Sequence, residues 1–266
     1  MMHVLTIGGV TPDIEVLSIQ RNATIFDGAN SGRLKNGNVV RDVIGTYYDY
    51  AYTAKPKSDN LTAYDEFYEL ITAPVDSYNV EVPFGQGILA YSAYINDVSD
   101  EIQIITTNKY WDGLAFTINA KEPQRYLGEI WAPTIPQSQN NVFTIDGYKF
   151  DVIVSELKRT STVLELNNQK TMSGRANREI IGTIYNYEMS IEQLVGSAKD
   201  YDTLYYLLTA PVESHHLSIP YGQTMYEFDV YISEVKDKLT LIKENINVWN
   251  DLKVKFTAMQ PKRRAL

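Results

Sequence analysis

An internal repeat restricts this chain more than any other feature. Val4-Leu5-Thr6-Ile7-Gly8-Gly9 returns as Val142-Phe143-Thr144-Ile145-Asp146-Gly147, and Arg41-Asp42-Val43-Ile44-Gly45-Thr46 returns as Arg178-Glu179-Ile180-Ile181-Gly182-Thr183. Tyr64-Asp65, Tyr68 and Thr72-Ala73-Pro74-Val75 return as Tyr201-Asp202, Tyr205 and Thr209-Ala210-Pro211-Val212. Pro83-Phe84-Gly85-Gln86 matches Pro220-Tyr221-Gly222-Gln223, Tyr94-Ile95 matches Tyr231-Ile232, and Trp111 matches Trp249. Pro123-Gln124-Arg125 matches Pro261-Lys262-Arg263. The offset stays at 137 or 138 throughout, a register that chance matches do not hold. The period is far longer than a solenoid unit. We therefore expect a tandem duplication, with copies over 4–125 and 142–263. The domains are read as 1–125 and 142–266, joined by 126–141. That connection carries two prolines and a Gln/Ser/Asn cluster, the composition of an extended linker or an exchanged arm.

A pattern present in both copies is better supported than one seen once. Leu89, Tyr91, Ala93 and Ile95 alternate, as do Tyr226, Phe228, Val230 and Ile232. Leu114, Phe116, Ile118 and Ala120 alternate, as do Leu252, Val254, Phe256 and Ala258. Period two means strands with one buried face. Before each Thr-Ala-Pro the spacing changes. Leu61, Tyr64, Phe67, Tyr68 and Ile71 mark one face of a helix, and Tyr201, Leu204, Tyr205 and Leu208 repeat it. Pro74 and Pro211 stop the helix, because the residue before proline avoids the α region. The expected fold is mainly β with one helix of about three turns per copy, a small antiparallel sandwich or barrel with the helix packed on it.

Hydrophobic residues make up 44% of the 266-residue chain, enough for a real core. Its 20 tyrosines suit pleated surfaces and subunit contacts alike. A net charge of −9 opposes tight nucleic-acid binding. The absence of cysteine removes disulfides, thiolate nucleophiles and cysteine zinc sites. Neither a signal peptide nor a membrane helix is expected from the hydrophobic pattern, so the chain reads as soluble and made in the cytoplasm.

No catalytic, cofactor-binding or metal-binding residues are expected. The three histidines are His3, His215 and His216. The adjacent pair would point to opposite faces of a strand and is read as turn or strand-start residues. Gly85-Gln86-Gly87 is read as a hairpin turn rather than a phosphate cradle, since Thr224 replaces Gly87 in the second copy. Asp65 and Asp202 are read as first-turn carboxylates that stabilise the helix dipole. Asp59 and Asp100-Glu101 are read as loop charges. Trp111 and Trp249, near the start of the last strand of each copy, are read as core or subunit-contact residues.

The Val-Leu-Thr-Ile-Gly-Gly-Val-Thr opening (Val4 to Thr11), the helix ending in Thr-Ala-Pro, and the strand ending in Pro-Phe-Gly-Gln or Pro-Tyr-Gly-Gln resemble small tail proteins of Gram-positive phages and prophages. The resemblance covers each copy end to end. It implies the tail-tube fold, a β-sandwich with one helix whose sheets join side by side into a ring, and it brings no catalytic residues. Tail rings of single-domain subunits have six. Two tandem copies would close a pseudo-sixfold ring with three chains, or a true sixfold ring with six. The implied function is a structural virion protein forming a ring at the tail tube or baseplate hub, through which DNA passes. Its partners would be itself and other tail proteins: tail tube, distal tail or hub protein, and tape measure. Localisation would be the virion tail, after assembly in the bacterial host cytoplasm. The first copy holds 9 basic and 16 acidic residues and the second 14 and 16, so an acidic lumen is expected. The alternative is a tandem β-sandwich carbohydrate-binding module for host attachment, which needs an exposed aromatic platform repeated in both copies. An enzyme would need convergent polar residues that the sequence does not offer.

Overall fold

A computed structural model describes residues 4–58, 60–105, 109–128, 142–170, 172, 174–243 and 246–265. Most of the 126–141 connection lies outside the described residues, as do His3 and Asp59.

The first half runs β1 (Thr6–Ile7), β2 (Ile14–Asp27), β3 (Gly32–Arg33), β4 (Val39–Val40), β5 (Val43–Pro56), α1 (Leu61–Ile71), β6 (Tyr78–Phe84), β7 (Gly87–Ile105), β8 (Lys109–Ala120) and β9 (Arg125–Tyr126). The second half runs β10 (Thr144–Ile145), β11 (Val152–Lys170), β12 (Ala176–Gln193), α2 (Ala198–Leu208), β13 (His215–Tyr221), β14 (Thr224–Tyr231), β15 (Glu234–Lys243), β16 (Ile246–Ala258) and β17 (Arg263–Arg264). The orders match, with β14 and β15 standing where β7 is continuous. The small β3–β4 hairpin is an addition of the first half.

Pairing registers match too. Tyr50 lies opposite Ile118 as Tyr187 lies opposite Phe256, and Ile102 opposite Trp111 as Leu239 opposite Trp249. Even the bulge between Val16 and Ser18 reappears between Val154 and Glu156. Such bulges bend and twist a strand. The molecule is accordingly mainly β, a curled antiparallel sheet of half-barrel shape with two helices.

Period two explains the long strands. On β5, Tyr48, Tyr50, Tyr52 and Ala54 point inward and are buried, while the residues between them reach the other face. Asn60 caps α1, its side-chain oxygen accepting from the Ala63 N–H at 3.2 Å. Tyr64, Phe67 and Ile71 are the buried face of α1; Tyr201, Leu204, Tyr205 and Leu208 are buried on α2. Leu61, read as part of the apolar face, is instead exposed at the first position of α1. Asp65 and Asp202 fall in the second helical turn, not the first, because the helices begin at Leu61 and Ala198. Asp100 and Glu101 are not loop charges, since β7 runs through them to Ile105.

One sheet crosses both halves. Its order is β1-β6-β7-β8-β5-β2-β15-β16-β14-β13-β10, with β12 and β11 branching beyond β16. Core residues of both halves form a single hydrophobic cluster. The halves are therefore joined edge to edge through β2 and β15.

The sheet face turned away from the helices is a mosaic. Its second-half side carries Lys158, Lys236, Lys253 and Lys255 among Glu156, Glu188 and Glu234. Lys158 and Lys255 pair with Glu188, Lys236 with Glu234, and Lys253 with Asp251. Where the same face crosses into the first half, Gln20, Asn22, Thr117 and Asn119 surround Asp49. On the second-half side lysines thus stand among the carboxylates.

Candidate functional site: the seam between the halves

Strand β2 lies antiparallel to β15, with Glu234 opposite Thr24 and Leu239 opposite Ile19. Ile25 N–H extends the ladder to the Ser233 carbonyl at 2.9 Å. Backbone pairing fixes this register, and one charged pair marks it. Arg21 stands at an inward position of β2, between Ile19 and Ala23, and is 0% exposed. Its Nε donates to Asp237 Oδ1 at 3.0 Å and its terminal nitrogen to Oδ2 at 2.5 Å. Such a two-pronged bond fits a planar guanidinium to a carboxylate. Tyr201 also donates its hydroxyl to Asp237 at 3.3 Å. The guanidinium carbon lies 3.4 Å from the centre of the Tyr205 ring, 4.0 Å from Trp249 and 5.0 Å from Phe84. Burial pushes the Asp237 carboxyl above its ordinary range, against the pull of Arg21. The pair is buried, so the cost of desolvating both charges offsets much of their attraction.

Two further arginines of the first half grip the second. Arg41 holds Asp27 with two bonds, donates to the Val212 carbonyl at 3.2 Å and lies 5.1 Å from the Tyr231 ring centre. Arg125 donates to the Tyr206 carbonyl at 2.6 Å and to the Thr209 hydroxyl at 3.2 Å. Thr46 donates to the Thr209 carbonyl at 2.7 Å, and the Tyr48 and Thr209 hydroxyls meet at 2.9 Å. The C-terminal end of α2, where carbonyls lack helical partners, is thus satisfied by the other half.

The β6–β7 turn completes the seam. Gly85 adopts φ 55, and a side chain there would run into Asp202 at 2.8 Å. The Gly85 carbonyl accepts from Trp249 Nε1 at 3.0 Å and from Asn247 Nδ2 at 2.8 Å. Gln86 bonds the Asn247 backbone at both N–H and carbonyl. The turn is a hairpin, as the sequence suggests, yet it also plugs into the partner half.

Burial pushes the Asp202 carboxyl from its usual 3.8 up to about 6, against the pull of Arg21 and Gln86. Folded Asp202 therefore keeps its proton through a window where the unfolded chain has lost it. In that window the folded state binds more protons, so stability falls as pH rises from about 4 to about 6. We expect urea unfolding across this range to show wild type losing stability relative to Asp202→Asn, with the difference constant above the window. A difference that is flat from pH 4 upward would contradict the assignment.

The charged and aromatic residues at the centre of the seam have counterparts of the same or a similar type at the repeat offset, whereas Asn247 falls opposite Lys109 and Tyr206 opposite Glu69, and the counterparts do not meet. Arg159, Arg178 and Arg263 correspond to Arg21, Arg41 and Arg125, and all three are exposed. Asp100, Tyr68 and Trp111 correspond to Asp237, Tyr205 and Trp249, and all are partly exposed, whereas Trp249 is 0% exposed. Asp100 already accepts from Tyr64 at 2.9 Å, as Asp237 does from Tyr201. Arg159 lies 4.7 Å from the Tyr221 ring centre, as Arg21 lies against Phe84, yet it meets no carboxylate among the described residues. Gly222 also has a positive φ, and a side-chain carbon at that position would meet nothing within 4 Å.

The histidines begin β13. His215 is buried with its Nδ1 2.7 Å from Asp146, while His216 is exposed beside Asp229 at 3.1 Å. They point to opposite faces. Among the described residues no cluster of three or more His, Cys, Asp or Glu could hold a metal. No helix among them is long and apolar enough to cross a membrane. Comparison with known proteins finds no matching family model and no matching curated protein. The missed signal was charge at a core phase. Arg21 and Arg159, and Asp100 and Asp237, repeat at the common offset and on the inward side of alternating strands.

Proposed function

We propose that this chain is a tandem duplication of a tail-tube-like domain, and a structural protein of a phage tail or a phage-tail-like particle. In this reading it forms a ring at the tail tube or baseplate hub through which DNA passes, contacting tail tube, distal tail or hub protein, and tape measure. It works in the virion tail and turns over no substrate. The observation that carries the reading is the seam: like halves join edge to edge through a strand pair, the geometry that builds a ring from a curled sheet. The sequence resemblance to small phage tail proteins supports the particle.

Placing the open sheet face on the lumen fits DNA passage. Its lysines are interleaved with carboxylates, so no continuous positive stripe is there to hold a phosphate backbone. In this placement a mosaic of both charges lines the second-half side, in place of the acidic lining expected from composition.

The carbohydrate-binding alternative needs the same aromatic platform on both halves. Trp111 and Tyr68 are partly exposed in the first half, but Trp249 and Tyr205 are sealed in the seam. Negative-stain images of the purified chain test the proposal. Rings with an open centre are expected. Single particles without a ring, together with binding on a glycan array, would overturn it in favour of the attachment module.

A further inference from the structure

We propose that a second copy of this chain docks head to tail by repeating the seam, with β11 of one molecule pairing with the 97–102 stretch of β7 in the next. The inference rests on the ring reading and adds its partner, register and contact residues. Two edges are open for it among the described residues. Among the described residues β11 pairs with β12 alone, and beyond Ala93 the outer edge of β7 is no longer covered by β6.

Carrying the β2–β15 register across by the repeat offsets places Val98 opposite Ser161, Asp100 opposite Arg159 and Ile102 opposite Leu157. The Arg159 guanidinium then takes the carboxylate that Tyr64 already orients, between Tyr68 and Trp111 of the neighbour. Gly222 presents its carbonyl to Trp111 Nε1, and Asp65 stands where Asp202 meets the Gly85 turn. Arg178 reaches the Val75 carbonyl beside the exposed Tyr94 ring, and Arg263 reaches Thr72. Arginine, aspartate, tyrosine, tryptophan and glycine recur at the central positions of the buried seam, while Lys109 stands where Asn247 does and Glu69 where Tyr206 does. A ligand other than this chain would have no reason to match both ends of the molecule. Because the two ends differ, the contact is head to tail and each molecule has one of each.

Mixing two variants tests this. Arg159→Glu spoils one end and Asp100→Leu the other, both at positions not fully buried in the single chain, and the two altered ends cannot form an ion pair with each other. Each variant alone should stay at the 30.3 kDa chain mass by light scattering. Mixed, they can form one wild-type seam, from Asp100 of the first and Arg159 of the second, and should give a species of twice that mass. A second measurement does not depend on these charges. The chain has no cysteine. Ile25 and Ser233 are a hydrogen-bonded pair, so the Asn22–Lys236 pair, three residues along, is non-bonded, with side chains close together. Its counterpart is Thr160 with Ser99. Ser99→Cys/Thr160→Cys should cross-link between molecules on oxidation, and Ser99→Cys/Thr162→Cys should not. Single variants that assemble like wild type, with no cross-link in the expected register, would overturn this seam while leaving the ring standing. A wild-type chain that neither assembles nor cross-links as the Ser99→Cys/Thr160→Cys variant would overturn both.

Discussion

Replacing Asp237 with alanine is expected to cost the single chain about 3–5 kcal/mol in urea unfolding. Arg21 is wholly buried, and its carboxylate partner is Asp237. Removing the carboxylate leaves a guanidinium charge without compensation in a site sealed by Tyr205, Trp249 and Phe84. The loss therefore measures the uncompensated charge rather than the worth of the pair. A double variant, Arg21→Met/Asp237→Leu, removes both charges and fills the site with apolar side chains, and it should recover most of the loss. Asp100→Ala provides the contrast. Asp100 occupies the same place in the first half but is partly exposed, so its removal should cost about 1 kcal/mol or less. Equal losses at Asp100 and Asp237 would contradict the picture of one filled and one open seam.

Trp249→Ala is expected to cost about 3–5 kcal/mol, as large-to-small changes in a packed core do. Trp249 is fully buried, lies beside Arg21 and donates its indole N–H to the Gly85 carbonyl. Trp249→Phe should cost much less, because Gly85 still receives the Asn247 amide at 2.8 Å. Trp111→Ala should cost less than Trp249→Ala in the unassembled chain, since part of the Trp111 ring already meets solvent. Denaturant titrations of the three variants read this order directly. A Trp111 variant as damaged as the Trp249 variant would mean that the first-half ring is core, and not an open contact.

The strands and helices are legible in the sequence because they rest on local periodicity. Tyr48, Tyr50 and Tyr52 alternate on β5, and Tyr201, Leu204, Tyr205 and Leu208 recur at helical spacing, in the structure as in the sequence. Comparison within the chain sharpens these readings, since each pattern is met twice. The seam is not legible as a site. Arginine on a strand reads as surface, and no local pattern says that Arg21 faces a carboxylate 216 residues away. Asp100 reads as a loop residue because Ser99-Asp100-Glu101 is wholly polar, although Val98, Asp100 and Ile102 keep the period-two phase of β7, and the backbone pairing that continues β7 through them is non-local. The Gly85 turn is recognisable as a turn, but its second task depends on Trp249 and Asn247 arriving from the other half. Identical residues at one offset carry information about function when one set is buried and the other is left in solvent.

The most direct test of the account is the solution mass of the purified wild-type chain by light scattering across a dilution series. If molecules join as the halves do, and the ring holds the six domains that the resemblance to phage tail proteins implies, three chains close it and the mass should settle at about 90 kDa, three times the chain. A mass that stays at 30.3 kDa at every concentration would contradict it.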